Sequence, residues 1–172
     1  SRRFKLPPNE AMGNYHLAWI EAETGDRSKG LNLMAALYDR VTAIGPIILL
    51  YKVMYVDQML RAGRAQEALA VADRAVTELR CPDRGLVLSE LLRLRGECLF
   101  ALGRGDEGRP ELVRAEAMAN RDGAELLRLR AANSLYNAVG EASRPVLKAA
   151  FTAIAAGWHG QDVLTARALL SG

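Results

Sequence analysis

Four glycines, Gly25, Gly63, Gly103 and Gly140, recur at intervals of 38, 40 and 37 residues, and this spacing constrains the fold more than any other feature of the chain. Each follows an apolar segment and precedes a short polar turn and a second segment. Gln58-Met59-Leu60-Arg61-Ala62-Gly63-Arg64 reads like Cys98-Leu99-Phe100-Ala101-Leu102-Gly103-Arg104. Beyond the turn, Ala68, Ala72 and Ala75 align with Gly108, Leu112 and Ala115, with Gly30, Met34 and Leu37, and with Pro145, Ala149 and Thr152. The residue five places after each turn glycine is the expected point of close approach between two helices.

The pattern is that of a helical hairpin. A glycine just past a helix closes its end in the left-handed conformation without a Cβ penalty. Asp26, Asp106 and Ser143 stand where a second helix begins and offer side-chain oxygens to its unsatisfied N–H groups. Apolar residues follow helical spacing, as in Leu88, Leu91, Leu92, Leu99 and Leu102, and no segment alternates like a strand. Ala, Leu and Arg dominate and aromatics make up only 6% of the chain, which also favours helix. First helices are expected near 9–24, 47–62, 86–102 and 124–139, and second helices near 27–43, 65–80, 107–119 and 144–156. A lone hairpin cannot bury its apolar face, whereas stacked hairpins share a core. The expected fold is therefore all-α: a right-handed superhelical solenoid of about four helix-turn-helix repeats. It forms one domain over 1–172, with repeats near 9–44, 47–81, 86–120 and 124–157 and a capping helix at 161–170.

Charge and composition narrow the function. The net charge is +3, and of 23 basic residues all but Lys5, Lys29, Lys52 and Lys148 are arginine. Most have an acid within a turn or two, as in Arg64/Glu67 and Arg93/Glu97, so they read as ion pairs on a solvated helix surface. Nucleic-acid binding is not expected, because the basic residues are not gathered on one face. Cys81 and Cys98 lack a CxxC partner, and His16 and His159 lie far from both, so no metal site is expected. The longest apolar run, Ile44–Tyr51, is too short for a membrane span. No signal peptide is visible, and a reducing cytoplasm fits the cysteines. The polar start at Ser1 suggests a piece excised from a longer protein.

Motifs that resemble chemistry are accounted for by turns. Gly103-Arg104-Gly105-Asp106-Glu107-Gly108 spells GxGxxG, but a helix precedes it where a dinucleotide fold needs a strand. Arg104-Gly105-Asp106 is an adhesion tripeptide by coincidence. No GxxxxGK[ST] string occurs, and neither histidine nor cysteine has a catalytic neighbourhood. The chain is expected to be no enzyme and to carry no cofactor.

These hairpins resemble the tetratricopeptide class of helical repeats, with Gly96, Ala68 and Leu99 at positions that match its small and bulky residues, and Arg95 and Lys52 where it prefers apolar ones. Residues 59–69, 90–97 and 125–132, with Gly157-Trp158, Asp162-Val163, Ala166 and Leu169-Leu170, are similar to the C-terminal repeat region of large bacterial signalling proteins. Those proteins join a class III adenylate cyclase or a winged-helix DNA-binding domain to an ATPase. The resemblance implies that any catalytic or DNA-binding part lies upstream.

In stacked hairpins the first helices line a groove that can hold a peptide. By spacing, its candidates are Tyr15, Trp19, Asp57, Arg61, Glu90, Arg93, Glu97, Arg130, Ser134 and Asn137. The leading expectation is a non-catalytic regulatory module that binds a protein or peptide, or upstream domains of its own polypeptide. The alternatives are a small-molecule effector sensor and a homo-oligomer joined through an exposed end of the array.

Overall fold

The computed structural model describes residues 8–43, 48–79, 85–154 and 158–172, and among these there is helix and no strand. Cys81, Gly157 and the expected boundaries at 44, 47, 80, 81, 156 and 157 lie outside the described residues. The chain divides into two compact units, Ser1–Val71 and Ala72–Gly172.

The first unit contains α1 (Pro8–Thr24), α2 (Arg27–Thr42), α3 (Ile48–Arg61) and the first half of α4 (Ala65–Glu78). Ala11, Tyr15, Ala18 and Ala22 recur at three- and four-residue steps on α1, and so bury one stripe against Met34 and Val41 of α2 and Tyr51 of α3. The Tyr15 hydroxyl donates to the Tyr51 carbonyl at 3.0 Å, and the two rings meet edge to face. Alanine keeps the α1 stripe narrow, which lets α2 come close. At Gly30 a methyl group would lie 2.3 Å from the Ala22 backbone nitrogen, so only hydrogen fits there. Asp26 caps α2, its carboxylate accepting from the Lys29 N–H at 3.0 Å.

The second unit contains the rest of α4 with α5 (Gly85–Ala101), α6 (Gly105–Arg121), α7 (Glu125–Val139), α8 (Arg144–Ala153) and α9 (Gln161–Ser171). Leu92, Ala115 and Ala131 form one core cluster with Val76, Leu88 and Met118. Leu129, Ala132, Leu147, Ala150, Val163 and Ala166 form a second, which seats α9 on α7 and α8. The α5–α6 crossing is also close, though less so than that of α1 and α2. A methyl at Gly108 would stand 2.9 Å from the Gly96 carbonyl oxygen, and one at Gly96 would stand 3.0 Å from that of Gly108.

The all-α helical-hairpin reading holds, with local corrections. Gly63 (φ 75°) and Gly103 (φ 74°) take the left-handed conformation, and each turn closes with the same bonds: Arg64 N–H to the Met59 carbonyl at 2.9 Å, Arg104 N–H to that of Leu99 at 2.8 Å. Gly25 does not take it, because only Gly25 and Asp26 separate α1 from α2 and the chain passes straight into the extended Asp26 cap. Gly123 (φ 66°), between α6 and α7, does take it and repeats the closure through Ala124 N–H and the Ala119 carbonyl at 2.9 Å. Asp106 is not a cap. Helix α6 starts at Gly105, two residues before the expected 107, and the Arg104 carbonyl receives the Glu107 and Gly108 N–H groups at 3.1 and 3.0 Å. Ser143 is not a side-chain cap either; its hydroxyl donates to the Gly140 carbonyl inside a 3-10 turn over Gly140–Ser143. Pro145, expected at a close approach, is exposed. Helix α8 stops at Ala153, short of the expected 156.

Candidate functional site

The candidate residues fall into two groups, one in each unit, and the denser lies on α5 and α7. Counting back from the turn glycine, Arg93 and Arg130 stand ten places before Gly103 and Gly140, and Glu97 and Ser134 six places before them. Of these equivalent positions Glu97 and Ser134 meet directly, and Arg93 and Arg130 meet on a shared oxygen of Glu90.

Arg93 and Glu90 form its centre. Arg93 Nε donates to Glu90 Oε2 at 3.0 Å and a terminal nitrogen donates to Oε1 at 2.7 Å, the two-pronged geometry of guanidinium and carboxylate. Its other terminal nitrogen reaches Glu97 Oε1 at 2.6 Å. Arg130 of α7 donates to Glu90 Oε1 at 3.1 Å and turns its Nε and remaining nitrogen on Asp162 Oδ2 of α9, at 3.1 and 2.9 Å. Ser134 closes the network, its single hydroxyl hydrogen shared between Glu97 Oε1 at 2.5 Å and the Arg130 carbonyl at 3.1 Å. Glu90 and Arg93 are only 7% and 6% exposed. Burial works to raise the Glu90 carboxyl pKa, but the Arg93 and Arg130 guanidinium groups outweigh it and hold the group below the usual carboxylate range.

Two members escaped the periodicity. Asp162 lies on α9, outside the repeat, where no spacing could point to it. Asn133 is buried, donates from Nδ2 to the Asp162 carbonyl at 2.9 Å, and leaves Oδ1 without a hydrogen bond. Asn137, the last candidate on α7, is exposed and joins no bond of the network. Three carboxylates against two guanidinium groups leave one negative charge. The Glu97 and Asp162 side chains are partly exposed, and the bonds above fall on Oε1 of the one and Oδ2 of the other.

In the first unit, Asp57 and Arg61 pair on α3 at 2.9 Å, and Arg61 also reaches Glu23 of α1 at 3.2 Å. Gln58, absent from the candidates, is buried and donates to Glu23 Oε1 at 2.6 Å. Trp19 packs half-buried on the core formed around Met34 and Tyr51. Tyr15 faces no groove. It is 0% exposed, and its aromatic ring belongs to the core because the Tyr51 carbonyl satisfies the hydroxyl.

Among the described residues, no group of three or more His, Cys, Asp or Glu side chains is placed to hold a metal ion, and no helix is long and apolar enough to cross a membrane. No protein-family model matches the chain, and no curated protein matches it. A search of solved structures finds the nearly identical TPR-like repeats assigned to a kinesin light chain of Podosopora anserina, TPR being tetratricopeptide. That structure aligns at a TM-score of 0.67 over 97% of this chain and 86% of the other, with 18% sequence identity. The likeness shows the fold: helical repeats of the tetratricopeptide type.

Proposed function

We propose that this chain is a non-catalytic helical-repeat module whose α5–α7–α9 face binds a protein segment rich in Lys and Arg. The observation that carries the reading is the imbalance of donors and acceptors on that face. The guanidinium groups of Arg93 and Arg130 are engaged by Glu90, Glu97 and Asp162. An acidic ligand would have to displace one of these carboxylates. A cationic one finds the partly exposed carboxylates of Glu97 and Asp162 and the residual negative charge of the network.

The test is fluorescence anisotropy with a labelled Lys/Arg-rich peptide and its Glu/Asp-rich counterpart. Glu97→Gln should weaken binding of the basic peptide about tenfold, the worth of one charge-assisted hydrogen bond. Stronger binding of the acidic peptide would overturn the reading. The context we propose is the cytoplasm, in a bacterial regulator with an upstream ATPase module and a cyclase or winged-helix domain, in which upstream domains of the same polypeptide are one source of the basic segment. The resemblance of residues 59–69, 90–97 and 125–132 supports this, and a reading frame upstream of Ser1 that encodes no ATPase would refute it. The effector-sensing alternative draws no support from the depressions beside Pro145 and Asn14, about 580 and 480 Å³, which are open grooves.

A further inference from the structure

The repeat register shows which face of a hairpin is made to be covered. Eight places before the turn glycines stand Leu17, Tyr55, Arg95 and Ala132, and five places before them Ile20, Gln58, Cys98 and Leu135. In α3 these positions meet the preceding hairpin: Tyr55 packs on Tyr38 of α2 at a ring separation of 4.8 Å, and Gln58 bonds Glu23 of α1. In the second unit Arg95 reaches back to Asp73 of α4 at 2.6 Å, and Cys98, Ala132 and Leu135 are buried. On α1 the same positions hold large apolar side chains in solvent, Leu17 at 65% and Ile20 at 46% exposure. Leu33 of α2, eight places after its glycine, is 46% exposed, whereas its counterparts Val71 and Glu111 are buried and Lys148 is exposed.

These side chains do not stand singly. Leu17, Ala18, Leu33 and Leu37 line a groove of about 480 Å³ between α1 and α2, with Glu21 and Lys29, paired at 3.0 Å, on its wall. At the other end of the chain α9 buries Val163 and Ala166 on α7 and α8, so one face of that helix pair is already covered by the chain itself.

We propose that a second copy of this chain covers the α1–α2 groove about a two-fold axis, burying both sets of Leu17, Ile20 and Leu33. Charge selects this occupant. The groove carries one anion and one cation, and the proposed axis is the one that sets Glu21 of each copy against Lys29 of the other in an alternating ring of four charges. A surface of mixed sign with an apolar floor complements itself, as an isologous interface requires. A partner with charge of a single sign would meet like charge at one of the two positions.

Sedimentation velocity from low-micromolar to near-millimolar protein should show a reversible dimer. Leu17→Glu should be monomeric with an unchanged far-ultraviolet circular-dichroism spectrum, since the side chain is exposed in the single copy. Glu21→Lys and Lys29→Glu should each weaken the homodimer about tenfold by like-charge contact, and mixing the two should restore a heterodimer. A monomer throughout the range overturns the proposal. So does a dimer that Leu17→Glu leaves intact, or one whose charge-swapped variants fail to pair.

Discussion

Replacing Glu90 with leucine removes the centre of the α5–α7–α9 network and tests whether that network holds the second unit together. The variant deletes three charge-assisted hydrogen bonds, two from Arg93 at 3.0 and 2.7 Å and one from Arg130 at 3.1 Å. Breaking a buried ion pair from one side costs about 3–5 kcal/mol, because the remaining charge stays buried. Here Arg93 keeps Glu97 and Arg130 keeps Asp162, so the lower end, about 3 kcal/mol, is expected. For a chain of this size that lowers Tm by about 6–12 °C. Urea and thermal denaturation followed by far-ultraviolet circular dichroism measure both quantities.

The double variant Glu90→Leu, Arg93→Met should recover most of the loss, since an apolar pair of similar volume replaces a buried ion pair at little cost. The pH dependence gives an independent check. Burial favours the neutral acid, but Arg93 and Arg130 prevail and the folded-state pKa lies below the unfolded one. The contribution is therefore fully present above the ordinary carboxylate pKa of 4.5 and is lost as pH falls through the folded value. Glu90→Leu should lose that part of the acid sensitivity. A single variant within about 1 kcal/mol of the parent, the range of a surface pair, would refute the reasoning. A double variant no more stable than the single would refute it too.

Three further outcomes are expected. Gly103→Ala should cost about 1 kcal/mol in urea denaturation, because φ at 74° strains an L residue, while Gly25→Ala should cost less because Gly25 is not left-handed. Asp26→Ala should lose about 1 kcal/mol with its cap bond to the Lys29 N–H, and Asp106→Ala only about 0.3–0.5 kcal/mol of charge–dipole energy. Cys98 should resist thiol reagents in the native state, because burial pushes its thiol up to about 12; its contribution to stability should hold below the ordinary thiol pKa of 9 and fall as pH rises from there toward 12.

The helices were legible in the sequence because apolar spacing and turn chemistry agree along most of the chain. The misreadings are local and physical. Asp106 looked like a cap by its distance from Gly103, yet Gly105 accepts helical geometry and α6 starts ahead of it. Gly123 carries the same closing turn as Gly63 and Gly103, but it follows a second helix, and a search for hairpin turns passes over it. Tyr15 and Arg93 share a register position ten places before the turn glycine, and spacing alone gives the two the same face. A repeat specifies which face a residue occupies, while its depth depends on what stands opposite: the Tyr51 carbonyl takes the Tyr15 hydroxyl inward, and Glu90 takes Arg93. Spacing singles out Glu90, Arg93, Arg130 and Ser134 because their helices repeat, and the structure joins all four in one network. It does not single out Asp162, since α9 belongs to no repeat.

That dependence on depth bears on why a stack of alanine- and leucine-rich helices settles in one register. Apolar stripes repeat every three to four residues, so α7 sliding by one turn past α5 would exchange one Ala or Leu contact for another at little cost. The network does not permit the exchange. Glu90 meets Arg130 and Glu97 meets Ser134, so the slip would part both pairs at once and leave the buried Glu90 and Arg93 with less of their compensation. Asp162 ties α9 to the same arrangement through Arg130, and its backbone carbonyl receives Asn133. Hydrophobic burial brings these helices together, and the ion network determines how far along one another they lie. Glu90→Leu, Arg93→Met should on this reasoning recover stability yet allow α5 and α7 more than one register, visible as broadened methyl resonances from Leu92 and Ala131 in the adjoining core.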